Sequence, residues 1–227
     1  MADTNSNPNF ELPATSVVRV GLLGGSFNPA HEGHLYISLE GLKRLQLNEI
    51  WWLVSSQNPL KSVDDMAPLD VRLQQARRAA NSCRIRVTDV ENQLGTRFSI
   101  DTITALKHRF HKTKFVWLMG ADNLLQMPKW RDWETIFESI PIAVFTRSSY
   151  SRKALTGAAA KHFADSRIRK SAGVELVECS PPAWEFLHIK PHPASATRIR
   201  KTTTPEERYP AQSNSDSNNK KLARGPS

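Results

Sequence analysis

Two histidines three residues apart, His31 and His34, follow a run of small and turn-forming residues, Gly24-Gly25-Ser26-Phe27-Asn28-Pro29. That order of residue types suits the handling of an anion. The apolar run 17–20 reads as a buried strand, and Leu35, Ile37, Leu39, Leu42 and Leu45 read as a helix, so the glycines occupy a strand-to-helix turn. A helix N-terminus carries unpaired N–H groups and a partial positive charge, which hold phosphate. Gly24 and Gly25 lack the Cβ atoms that would keep a phosphate off the backbone. A spacing of three puts both imidazoles on one face of the first helical turn. Neither the Gly-x-Gly-x-x-Gly fingerprint nor the Gly-Lys-Ser/Thr of a P-loop follows this strand, so the turn belongs to neither of those phosphate-binding classes.

A second constellation stands far along the chain, in Ser195-Ala196-Thr197-Arg198-Ile199-Arg200. Two hydroxyls at the start of a helix, with an arginine one turn on, have the reach and charge to engage a triphosphate. Taken alone, the same residues equally describe an N-capped helix with a surface arginine.

The elements that must position these groups alternate. Strands are expected at 19–23, 49–54, 85–89, 114–119, 142–145 and 186–189, rich in apolar and β-branched residues as strands covered on both faces are. Helices are expected at 32–45, 69–80, 100–109, 133–139 and 153–163, with Pro68 in the first turn of the second and Ser99 as N-cap of the third. Such alternation implies βαβ units: an α/β, Rossmann-like open parallel sheet with helices on both faces and ligands at the carboxyl ends of its strands. One domain is expected over residues 16–203, with polar tails at 1–15 and 204–227 whose composition does not support a packed core.

The 227 residues carry 23% charged and 39% hydrophobic residues and a formal charge of +9. The basic residues, Arg72, Arg77, Arg78, Arg84 and Arg86 among them, are dispersed without an aromatic-basic patch. They read mostly as solvated faces that favour a polyanionic small substrate, so neither a nucleic acid nor a membrane is expected as partner. Cys83 and Cys179 form no disulfide framework, and His108, His111, His162, His188 and His192 share no metal spacing, so no protein metal site is expected. The first residues lack the basic and apolar regions of a signal peptide, and a cytoplasmic protein is expected.

Both constellations resemble signatures of the nucleotidylyltransferase superfamily, Gly-Ser-Phe-Asp/Asn-Pro-x-His-x-Gly-His and Ser-x-Thr-x-x-Arg. Over residues 18–200 the chain is similar to the bacterial nicotinate-mononucleotide adenylyltransferases. The similarity includes Ser55-Ser56-Gln57-Asn58-Pro59-Leu60-Lys61, Gly95-Thr96-Arg97-Phe98-Ser99-Ile100-Asp101-Thr102, Gly120-Ala121-Asp122-Asn123-Leu124 and Pro128-Lys129-Trp130-Arg131-Asp132-Trp133. The resemblance implies adenylyl transfer from ATP to nicotinate mononucleotide, with Mg²⁺ carried on the triphosphate. It assigns His31, His34 and Arg200 to the reacting phosphates. Gly25, Ser26, Phe27, Ser195 and Thr197 would bind ATP, and Gly120 and Asp122 its ribose. Lys61 would meet the mononucleotide phosphate, with Arg147 as a weaker phosphate contact. Trp130 would stack on the pyridine ring, and the Ser99 segment and Arg131 backbone would meet the nicotinate carboxylate. From the residues alone, Asp122 is equally a helix cap, and Trp130 competes with Trp133 for a packing role. Other acceptors (nicotinamide mononucleotide or phosphopantetheine) and a non-catalytic nucleotide-binding regulator stay open, as does oligomeric state. The chain departs from the family pattern in Asn28, where aspartate is frequent, and in turning polar soon after Lys201.

Overall fold

A computed structural model describes residues 17–56, 66–147, 150–169, 175–204 and 208. Seven parallel strands form one open sheet: β1 Val18–Gly25, β2 Glu49–Val54, β3 Ile85–Thr88, β4 Thr113–Gly120, β5 Ile142–Phe145, β6 Arg167–Ile168 and β7 Trp184–Leu187. Their spatial order is β3-β2-β1-β4-β5-β7-β6. Around them lie α1 Glu32–Arg44, α2 Leu69–Ala79, α3 Val90–Gln93, α4 Ser99–Arg109, α5 Ala121–Gln126, α6 Trp133–Ser139, α7 Ser151–Leu155, α8 Ala158–His162 and α9 Ala196–Thr202. Among the described residues no helix is long and apolar enough to cross a membrane.

Alternation along each strand sends side chains to two cores. Val18, Val20, Leu22, Trp51 and Trp117 pack with α4, α6 and α8 on one face. Leu23, Ile50, Trp52, Leu118 and Phe145 pack with α1 and α2 on the other. Both faces are therefore buried, which is why the strands read as continuous apolar runs.

The ligand edge follows from the register. β1 pairs with β4 up to Leu23 and Leu118. Beyond that point Gly24 and Gly25 pair with Leu53 and Val54 of β2, while Met119 and Gly120 pair with Val144 and Phe145 of β5. The two central strands thus part at their carboxyl ends and open the crevice expected where strand order reverses.

Several local expectations change. Ser99 is the first residue of α4 rather than its N-cap; Phe98 takes that position and no side chain caps the helix. Pro68 stands at the N-cap of α2, one residue before its first turn. The helix expected at 153–163 is two short ones, because Gly157, extended at the N-cap of α8, interrupts it. The strand at 85–89 ends at Thr88, the last one is shifted to Trp184–Leu187, and the two-residue β6 carries too little pattern to read. Arg72 is 1% exposed, against the expectation of a solvated arginine.

Candidate active site

At the crevice a cavity of about 490 Å³ is lined by the turn after β1, the start of α1, the ends of β4 and β5 and the start of α9. A shallower depression, lined by Arg19, Lys114 and Glu178, lies at the amino-terminal ends of β1 and β4.

His31 is the N-cap of α1, and its Nδ1 accepts the Gly33 N–H at 3.1 Å. The Nδ1 of His34 accepts the His31 N–H in turn, at 3.2 Å. The two rings lie 3.9 Å apart, centroid to centroid. The histidines therefore cap their own helix, a structural role the spacing did not reveal. With Nδ1 accepting, a neutral imidazole carries its proton on Nε2. Burial, helped by the positive field of Arg147 and His192 against a backbone hydrogen bond, lowers His31 to about 4. It is thus a neutral donor at pH 7.

The floor beneath them is aromatic. Phe27 has a left-handed φ of 45°, and its buried ring stacks on Trp52 at 5.0 Å and meets His34 at 4.6 Å. Trp52 Nε1 donates to Ser38 Oγ, which donates to the His34 carbonyl. Trp52 thus supports the turn after β1 and the start of α1. On the other face of the sheet Gly24 makes room for Trp117, since a Cβ there would lie 2.7 Å from its ring.

The second constellation arrives on α9. The Ser195 side chain accepts the Arg198 N–H at 3.2 Å and so acts as N-cap. Thr197 and Arg200 line the cavity with Gly25, Ser26 and Phe27, whereas Ser195 does not. Arg200 Nη1 donates to the Asn28 carbonyl at 2.6 Å across 172 residues of sequence.

On the opposite wall Gly120 is the N-cap of α5, and Asp122 caps nothing. Its Oδ2 pairs with Arg147 Nη1 at 3.3 Å, and its Oδ1 is buried without a hydrogen-bond partner. Asp122 lines the cavity, and a carboxylate oxygen left without a partner can accept a ligand hydroxyl. Trp130, Arg131, Ser99, Phe98 and Arg147 line the same cavity. Trp130 and Trp133 both pack half-buried against the core: Trp133 lies edge-on to Phe137 and Phe163, while Trp130 lies edge-on to Trp117 and also lines the cavity. Arg131 is held by Asp101 and Asp132 and lies 4.6 Å over Phe98. Lys61 lies outside the described residues.

Sequence reasoning missed Glu91, Arg97, Trp117 and Lys129, all on the cavity. Glu91 is 5% exposed, and burial raises its carboxyl to about 7 against the pull of Arg72. It sits in a four-residue helix with no pattern of its own, so nothing local marked it. Among the described residues no cluster of three His, Cys, Asp or Glu is arranged to hold a metal ion.

An open parallel sheet, a phosphate-type turn with paired histidines and a distant arginine brought onto that turn define a nucleotide-handling site of the nucleotidylyltransferase class. The Cytidylyltransferase-like family model matches residues 22–202. A protein of Parvibaculum lavamentivorans described as a probable nicotinate-nucleotide adenylyltransferase is 47% identical over 186 residues, 82% of this chain and 92% of its own. One of Cereibacter sphaeroides with the same description is 46% identical over 183 residues, 81% and 97% of the two chains. The nicotinic acid mononucleotide adenylyltransferase of Plasmodium falciparum, solved with NaAD, shares the fold with a TM-score of 0.62 at 17% identity, over 83% of this chain and 85% of its own. The chain belongs to the cytidylyltransferase-like family and, within it, to the nicotinate-nucleotide adenylyltransferases.

Proposed function

We propose that the protein transfers the adenylyl group of ATP to the phosphate of nicotinate mononucleotide, giving nicotinate adenine dinucleotide and pyrophosphate, a step of NAD biosynthesis in the cytoplasm. The observation that carries this reading is the Arg200–Asn28 bond, which puts both signatures on one cavity. The relatives' descriptions support the choice of acceptor.

The mononucleotide phosphate attacks the α-phosphorus in line. A phosphate monoester is already ionised at neutral pH, so no general base is needed. Catalysis is positioning and neutralisation of charge on the α- and β-phosphates. His31 and His34 donate through Nε2, and Arg200, already oriented by the Asn28 carbonyl, adds a fixed cation. Gly25, Ser26 and Thr197 bind the triphosphate, while Gly120 and Asp122 take the ribose hydroxyls. Ser195 contributes by fixing the start of α9.

Trp130 stacks on the pyridine ring. Ser99, the Arg131 backbone and the neighbouring Arg97 and Lys129 make that end of the cavity favour a carboxylate over an amide. Arg147 and Lys61 serve the acceptor phosphate. Bound with the triphosphate, Mg²⁺ would supply further charge neutralisation, and the cation-rich lining fits an ion carried on phosphate better than a carboxylate cage.

Pyrophosphate release, measured with ATP and each of nicotinate mononucleotide, nicotinamide mononucleotide and phosphopantetheine, tests the reading. Turnover is expected to be greatest with nicotinate mononucleotide and to stop on chelation of Mg²⁺. No turnover with any acceptor overturns it in favour of a nucleotide-binding regulator.

A further inference from the structure

Arg72 is a buried cation outside the reaction described above, and its hydrogen bonds follow a pattern. Its Nη1 donates to the carbonyls of Ser26 at 2.8 Å and Ser55 at 2.7 Å. Its Nη2 donates to Ser56 at 3.0 Å, and its Nε donates to Ala67 at 2.8 Å. These four acceptors, among the described residues, are backbone carbonyls. They belong to three separate pieces of chain: the turn after β1, the first residues after β2, and the approach to α2. Asn28 adds a parallel tie, with its Oδ1 accepting the Ala67 N–H at 3.1 Å and its carbonyl accepting Arg200.

Ser26 lies on the side of the site read as binding the ATP phosphates. Ser55 lines the same cavity, and Ser55 and Ser56 open the stretch of sequence whose Lys61 is read as meeting the acceptor phosphate. A guanidinium is a rigid planar fork with five N–H donors, so carbonyls bound to it are fixed relative to one another. We infer that Arg72 is a positioning residue whose guanidinium sets the spacing between the ATP-binding turn and the acceptor-binding segment. It touches neither substrate. It acts through the main chain that carries them, and in-line attack depends on that spacing, because misplacement by about 1 Å costs on the order of a hundredfold in rate.

The inference rests on the two-sided reading of the cavity in the proposed function, and its test is kept separate. Each variant is compared with wild type using whichever acceptor the wild type turns over best, so failure with nicotinate mononucleotide leaves this test standing. The variant is Arg72→Lys, which keeps the charge but brings three donors on one atom to four dispersed carbonyls. Folded fraction is measured by circular dichroism, and rates are normalised to it. ATP affinity is measured separately, without acceptor. The expected result is a fall in kcat of about tenfold or more with a rise in acceptor KM, while ATP affinity stays within about twofold. Normalised kcat and acceptor KM within twofold of wild type would show that Arg72 merely stabilises the fold, and overturn the inference. Equal weakening of both substrates overturns it too. If Arg72→Lys does not fold, Asn28→Ala, which removes the Oδ1 tie to Ala67 and keeps the carbonyl that accepts Arg200, takes its place. It is expected to raise acceptor KM about threefold or more, and an unchanged value overturns the inference.

Discussion

The His31 and His34 rings stand 3.9 Å apart, and the two residues exchange main-chain and side-chain hydrogen bonds that close the first turn of α1. The same atoms that hold the helix start fix which ring nitrogen faces outward. Because each Nδ1 accepts, each neutral ring presents Nε2–H. Helix capping here also preorganises the two donors that the proposed reaction uses.

His34→Ala is accordingly expected to lower kcat by at least about a hundredfold, comparable to losing one strong donor to a developing oxyanion. The cap bond it removes costs about 1 kcal/mol, so the fold should survive. Steady-state kinetics together with a thermal melt check both halves. Near-normal turnover would remove His34 from the reaction.

The pH dependence of stability separates two buried groups. His31 is lowered from 6.5 to about 4 in the folded protein, so the unfolded chain binds more protons between those values and stability falls as pH drops through that range. Glu91 is raised from 4.5 to about 7, so the folded protein binds more protons there and its contribution is lost as pH rises through 7. Each is on the order of 3 kcal/mol and their signs oppose between 4.5 and 6.5. Urea denaturation across pH 4.5–6.5 should therefore show a shallow dependence for wild type. Glu91→Gln should make stability rise more steeply with pH, and His31→Asn should make it fall. A shared direction in the two variants refutes this assignment.

How much of this was legible beforehand differs by level. The alternating strands and the parallel sheet could be read because both faces are covered, which writes apolar runs such as Ile50–Val54 directly into the sequence. The two constellations could be read because glycine, histidine and arginine are each used there for a property few residues share. Arg72 and Glu91 could not. Burial of a charge depends on partners distant in sequence, here carbonyls 46 and 17 residues away, and no local pattern encodes it. The division at Gly157 was missed because the apolar spacing of 153–163 continues across it.

The orphaned Oδ1 of Asp122 predicts a defect confined to ATP. Asp122→Ala should raise the KM for ATP by about tenfold, the worth of one or two hydrogen bonds to a charged acceptor, with a smaller change in kcat. Arg147, released from its 3.3 Å ion pair, should then hold the acceptor phosphate no less tightly, so acceptor KM is expected to stay level or fall. A rise confined to acceptor KM would assign Asp122 to the other substrate.

Trp130 and Trp133 are three residues apart and should fail differently. Trp133 sits among Phe137, Phe163 and His162, so Trp133→Ala should cost roughly 2–3 kcal/mol of stability, below the value for a fully buried tryptophan. Trp130 makes one aromatic contact, edge-on with Trp117, and is half-buried against the same core while it lines the cavity. Trp130→Ala should cost about 1 kcal/mol of stability, less than Trp133→Ala, since the half-buried ring has a single aromatic neighbour. It should raise acceptor KM about tenfold, near the worth of one ring stack. Phenylalanine at position 130 should recover most of that loss, because stacking needs the ring face and not the indole N–H. If Trp130→Phe is as impaired as Trp130→Ala, the indole N–H rather than the stack is what meets the acceptor.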